Sequence, residues 1–213
     1  MSEDPIAEDA QRAAIIDALL PQVPFDGWTS KALRQALASI GEHPDDAALY
    51  FPDGPGEMIE AFSALADARM EAESAQAGLA ALRIPARIRA IIAIRLQQNR
   101  GNKEAIRRAL SWLAVPTNAP RAVRITAATV DTIWHAAGDK ASDFSWYTKR
   151  GILAGVYSAT LLYWLRDSAD DDEATLAFLD RRLANVAGIG KLRSKIEGRF
   201  KDMKLKAPRF THL

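Results

Sequence analysis

Cysteine is absent from this 213-residue chain, which removes disulfides and thiolate metal centres from consideration. Histidine is scarce: His43, His135 and His212 stand too far apart for any pair to have the i, i+3 or i+4 spacing of a helical metal site. No apolar run approaches the roughly 20 residues that a membrane span requires. The longest uncharged stretch, the fifteen residues from Gly151 to Leu165, is bracketed by Lys149, Arg150, Arg166 and Asp167 and reads as a buried helix of a soluble domain. No strand signal of useful length is present. Gly54-Pro55-Gly56 lacks the lysine and spacing of a phosphate loop, and Gly188-Ile189-Gly190-Lys191 has no strand before it, so they read as a helix entry and a flexible joint. Asp170-Asp171-Asp172-Glu173 has no glycine-spaced calcium loop and reads as a helix start that complements the dipole. Nor does any nucleophile have an identifiable base and orienting partner, or any cofactor fingerprint occur. The expectation is a binding protein without metal or cofactor, not an enzyme.

What is present is 48% hydrophobic residues, enough for one good-sized core, and a segregated charge. Up to Glu60, twelve acidic residues face only Arg12, Lys31 and Arg34, a balance of −9. From Gly188 onward the balance is +6. The start Met1-Ser2-Glu3-Asp4-Pro5 is neither a signal nor a transit peptide, so a bacterial cytoplasmic location is expected. A first helix is predicted over Glu8 to Gln22. Trp28-Thr29-Ser30 then caps a short helix carrying Ala32, Leu33, Ala36 and Leu37, and a second short helix runs from Pro44 to near Tyr50. Two short helices around a glycine turn, followed by Phe51-Pro52, resemble the N-terminus of TetR-type regulators. DNA binding is nonetheless not expected. The second helix opens with Asp45-Asp46, and no basic residue stands between Arg34 and Arg69 to approach phosphates.

Helical spacing continues from Met58 to Leu82, from Pro85 to Gly101, from Lys103 to Val115 and from Pro120 to Ala137. In the second of these Ile88, Ile91, Ile92 and Leu96 form the apolar face, and Arg87, Arg89, Arg95 and Arg100 are expected outward or at seams. Trp112, Leu113, Val123, Ala127, Val130 and Trp134 are expected inward. A central helix starts near Trp146, with Leu153, Val156, Tyr157, Thr160, Leu161 and Trp164 at helical spacing and enough apolar surface to pack on more than one side. Trp146 and Tyr147 are adjacent, hence about 100° apart on the helix, and cannot both face one core. With Asp139, Asp143, Lys149 and Arg150 they form a candidate partner-docking patch. Ile88, Ile91, Ile92, Leu96, Val130, Trp134, Leu153 and Tyr157 supply more apolar side chains than one helix pair buries, so a ligand cavity is expected among them.

Trp134-His135-Ala136-Ala137-Gly138-Asp139, Ser142 to Arg150, and Thr175 with Phe178-Leu179 and Arg182 carry a resemblance. They match, nearly position by position, the signature of the accessory lipid-binding protein family of ubiquinone biosynthesis, found in mitochondria and alphaproteobacteria. Ser145 stands where that family usually has asparagine, and Leu161 where several members have an acidic residue. The resemblance implies a homodimer that holds an isoprenoid lipid or quinone intermediate and presents it to the di-iron demethoxyubiquinone hydroxylase, with the 139–150 patch as the docking surface. A ligand-responsive TetR-type transcriptional regulator is the alternative.

The last segment places Ile189, Leu192, Ile196, Phe200 and Met203 on one stripe and Lys191 and Lys195 among its basic residues. It reads as a helix lying on an anionic membrane surface, with docking on the chain's own acidic region as the competing reading. The expected architecture is therefore all-α: a TetR-regulator-like bundle of about nine helices plus a C-terminal amphipathic helix. It divides into a helix-turn-helix-like region at 1–57, a ligand-binding core at 58–187, and a joint with a membrane helix at 188–213. The expected location is cytoplasmic and peripheral, on the inner face of the bacterial inner membrane.

Overall fold

The computed structural model describes residues 5–139, 145–169 and 171–185, with the side chains of 5–8, 145 and 146 left aside. Among the described residues there are helices and turns and no strand. Helix α1 (Pro5–Leu19) stops short of the expected Gln22, because Pro21 disfavours helical geometry at the residue before it. A separate turn, α2 (Val23–Asp26), follows with Pro24 in its first turn. Helix α3 (Ser30–Ser39) is capped by the Thr29 hydroxyl, which accepts from the Ala32 amide at 3.2 Å. A tight turn at Pro44–Asp46 leads into α4 (Ala47–Tyr50).

Helix α5 (Pro55–Gln76) is the middle of the fold, packing on α1, on α6 (Ile84–Gln98) and on α8 (Ala119–Ala136). Gly56 permits this. A Cβ there would lie 1.7 Å from Arg121 Nη1 and 2.9 Å from the Trp112 ring, so any larger residue would have to displace the Arg121 guanidinium and the Trp112 ring where α5 meets α8 and the end of α7 (Lys103–Leu113). The remaining long helix, α9 (Ser145–Arg166), packs on α8 and α6, and α10 (173–185) closes the described chain. The expectation that α9 is the central helix needs correction. Leu153, Val156, Tyr157, Thr160, Trp164 and Leu165 are buried, but Ile152, Leu162 and Tyr163 are exposed, so α9 is an outer helix with an apolar outer face. The charges bracketing the stretch do not reveal which face meets solvent.

Two hydrophobic clusters hold the bundle together. The first joins Ile15, Ile16 and Leu19 of α1, Leu33 and Leu37 of α3, and Met58, Ile59 and Phe62 of α5 with Ala105 and Ala109 of α7. Trp28 ties the first four helices to α7 by donating from Nε1 to the Ala105 carbonyl at 3.0 Å. The second cluster joins Met70, Ile88, Ile91, Ile92, Leu96, Val130, Ile133 and Trp134 with Leu153, Tyr157, Trp164 and Leu179. Each fully buried isoleucine here contributes about 1.5–3 kcal/mol. Val123 and Ala127, expected inward, are exposed: the buried stripe of α8 is Thr129, Val130, Ile133 and Trp134, and Val123 is 68% exposed on the far side.

Candidate functional site

A cavity of about 290 Å³ lies where the two clusters meet. Five helices wall it: α5 supplies Ile59, Phe62 and Ala66, α6 Leu96, α7 Ile106, Ala109, Leu110 and Leu113, α8 Ile125 and Thr126, and α9 Tyr157, Leu161 and Trp164. Of the eight residues expected to wall a cavity, Leu96 and Tyr157 do. Ile88, Ile91, Ile92, Val130, Trp134 and Leu153 are all buried in the second cluster and line no part of it. They are packed together in the second cluster, whereas the void is lined by Ala66, Ala109 and Ala122 of α5, α7 and α8, whose small side chains leave space.

The cavity has one polar corner, which the sequence reading did not anticipate. Arg95, expected outward or at a seam, is 7% exposed. Its Nε donates to the Tyr157 hydroxyl at 2.8 Å, and its Nη2 reaches Ser63 Oγ at 3.3 Å and Thr129 Oγ1 at 3.5 Å. Nη1 lies 2.5 Å from Asp67 Oδ1 in an ion pair without an aligned N–H···O angle. The other carboxylate oxygen accepts from Thr129 Oγ1 at 2.9 Å. Burial is the larger influence on Asp67 and lifts its pKa from 3.8 to about 6, against the opposing pull of Arg95 and Thr129. A signal for this corner did exist: Arg95 falls on the same helical face as Ile88, Ile91 and Ile92, where a cation is buried only with a partner.

The second candidate surface is the head of α9. Tyr147 is 74% exposed and borders an apolar surface groove with Val123, Ala127, Gly151 and Ala154. The charges grouped with it are engaged within the chain. Lys149 Nζ lies 3.5 Å from Asp139 Oδ1 and 5.7 Å from the centre of the Trp134 ring, and Arg150 pairs with Asp131. Asp143 and the side chain of Trp146 fall outside the described residues, as do Ile189, Lys191, Leu192, Lys195, Ile196, Phe200 and Met203.

Several motif residues prove to hold the helices together. Gly138 has φ +78°, and the Asp139 amide closes the end of α8 on the Trp134 carbonyl at 3.1 Å. Thr175 is fully buried and donates to Asp167 Oδ2 at 2.7 Å, which holds the Asp167 carboxyl below its usual pKa. Phe178 stacks on Tyr163 with ring centres 4.5 Å apart, and the Arg182 guanidinium lies 4.9 Å from the centre of the Phe178 ring. Asp172, within the acidic stretch, is buried, with Trp164 Nε1 donating to it at 3.0 Å and Arg100 at 2.5 Å. No cluster of three metal-ligating side chains occurs among the described residues, and no helix among them is long and apolar enough to cross a membrane.

These features define an all-α protein of the TetR-regulator fold with an apolar cavity between its helices. The crystal structure of a TetR transcriptional regulator from Nitrosomonas europaea superposes with a TM-score of 0.68 at 26% identity, over 84% of this chain and 98% of that one. A family model described as COQ9 matches residues 119–190, the span that contains the three motifs. The ubiquinone biosynthesis protein COQ9 of rat mitochondria is 34% identical over 202 residues, 92% of this chain and 64% of its own length. The mitochondrial coq9 protein of Schizosaccharomyces pombe is 30% identical over 187 residues, 87% of this chain and 74% of its own. The chain belongs to the COQ9 family. It spans somewhat less than two thirds of the length of the mammalian relatives, 63% for the human protein.

Proposed function

We propose that the protein is a non-enzymatic accessory factor of ubiquinone biosynthesis that binds an isoprenoid quinone intermediate and presents it to the di-iron demethoxyubiquinone hydroxylase. The observation that carries this reading is the apolar cavity walled by five helices in a chain whose relatives are named for ubiquinone biosynthesis. Exposed Tyr147 beside an apolar groove supports a protein-docking role for the head of α9, since a tyrosine in such a place is a typical interface anchor. The apolar outer face of α9, with Ile152 and Leu162 uncovered, supports a homodimer. A basic amphipathic segment after residue 188 would hold the protein on an anionic membrane surface, where isoprenoid quinones reside.

Mass spectrometry of lipid extracted from the purified protein tests the reading: isoprenoid quinones or their precursors are expected, and a lipid-free protein that also fails to take up a short-chain quinone would refute it. The likeness to a TetR regulator favours a second reading, ligand-controlled DNA binding. Asp45 and Asp46 at the start of the second short helix oppose it, because carboxylates there repel phosphates. A specific footprint on promoter DNA at moderate salt would establish that second reading.

A further inference from the structure

The cavity wall is apolar apart from Asn99, Thr126 and a corner where Arg95 Nη2 meets Ser63 and Thr129 and Arg95 Nε meets the Tyr157 hydroxyl. Both contacts made by Nη2 are long, 3.3 and 3.5 Å, so the hydrogens on this nitrogen are held weakly and stand available to a better acceptor. Asp67 does not line the cavity. It sits behind Arg95 and Thr129, 2.5 Å from Nη1 and 2.9 Å from the threonine hydroxyl. The corner therefore shows a guanidinium donor to the void while its charge is cancelled from the rear. We infer that this corner receives the oxygen-bearing end of an uncharged amphiphile, and that Asp67 makes the cavity reject anionic head groups.

The physical basis is the balance of buried charge. Arg95 with ionised Asp67 sums to zero, and a neutral carbonyl or ether oxygen accepts from Nη2 without changing that sum. A carboxylate or phosphate in the same place would leave one negative charge unmatched beside the buried Arg95 and Asp67 pair. An arginine without Asp67 would have the opposite preference. A purely apolar cavity would have no preference for an oxygen at this position.

The inference rests on the reading of the cavity as a lipid site, and the test keeps the two apart. Isothermal titration at pH 8 compares two probes of matched shape, 2-undecanone and decanoate, which differ at the head by a methyl group against a charged oxygen. The wild-type protein is expected to bind the ketone at least tenfold more tightly. In Asp67→Asn the ratio should shift toward decanoate by at least tenfold, because the guanidinium loses its counter-charge. A folded variant with an unchanged ratio, or a wild-type protein that binds decanoate as tightly as the ketone, overturns the inference and leaves the lipid site standing. Asp67→Leu/Arg95→Met removes both charges together and serves where the single variant does not fold. That double variant should lose about tenfold in ketone affinity, and an unchanged affinity overturns the role of Arg95. Absence of binding by either probe to the wild-type protein overturns the cavity reading, and this inference with it.

Discussion

Ala109 lies on α7 with its side chain at the wall of the cavity, and it is 5% exposed. Replacing it with leucine adds three carbons to a space of about 290 Å³, which has room for them without displacing Phe62 or Leu113. Each buried methylene contributes about 0.8 kcal/mol, so the gross gain is about 2.4 kcal/mol. Ordering the longer side chain costs about 0.5–1 kcal/mol, which leaves about 1.5 kcal/mol. For a chain of this size that corresponds to a rise in Tm of about 3–6 °C, measured on delipidated protein by calorimetry. The same substitution should cut the lipid recovered from the purified protein several-fold, because the added carbons occupy the ligand's space. A lower Tm for Ala109→Leu would mean that the walls close into the void in solution. A higher Tm with lipid recovery undiminished would mean that the lipid sits elsewhere.

Tyr147→Ala should cost under about 1 kcal/mol in thermal unfolding, since the ring is mostly exposed, and should weaken hydroxylase binding by about 2 kcal/mol in a titration if the ring is an anchor. Gly138→Ala should destabilise by about 1–2 kcal/mol in urea melts, because φ +78° is unfavourable with a Cβ and that atom would meet Arg87 Nη1 at 3.2 Å. The Asp67 carboxyl has its folded pKa raised from 3.8 to about 6, so the stability it contributes is complete below about pH 4 and is lost as pH rises through 6. Stability relative to Asp67→Asn should accordingly fall between pH 4 and pH 6 by at most about 3 kcal/mol, and a rise across that window would refute the assignment. Truncation before Gly188 should weaken sedimentation with anionic liposomes and abolish its salt dependence while the thermal transition of the remainder persists.

The helices were legible because their apolar spacing is strong: Ile88, Ile91, Ile92 and Leu96 on α6, and Val130 and Trp134 on α8, all lie in the core. The cavity was not, because periodicity tells which face of a helix turns inward and says nothing of the distance between helices. The void exists where Ala66, Ala109 and Ala122 from three helices approach one another, an arrangement that no single stretch encodes. The meeting of Arg95 and Asp67 was not legible: Arg95 was expected outward or at a seam. Both sit on inward faces, but the sequence separates them by 28 positions and gives no sign that they meet. The outer face of α9 was misread for a different reason: Ile152 and Leu162 are as apolar as the buried side, and apolar spacing alone does not tell a side that is covered from one that is left exposed.

Helix α9 joins the two candidate surfaces in a single unbroken rod. Tyr157, Leu161 and Trp164 are on the cavity wall, and Tyr147 stands about 15 Å away along the same axis at 1.5 Å per residue. The rod is fastened at its lower end by Thr175, Asp172 and the Phe178 stack, so a ligand that pushed on it from the cavity would tilt its upper end against α8. Whatever docks at Tyr147 would thus meet a surface whose angle reports whether the chamber below is full, like the needle of a gauge.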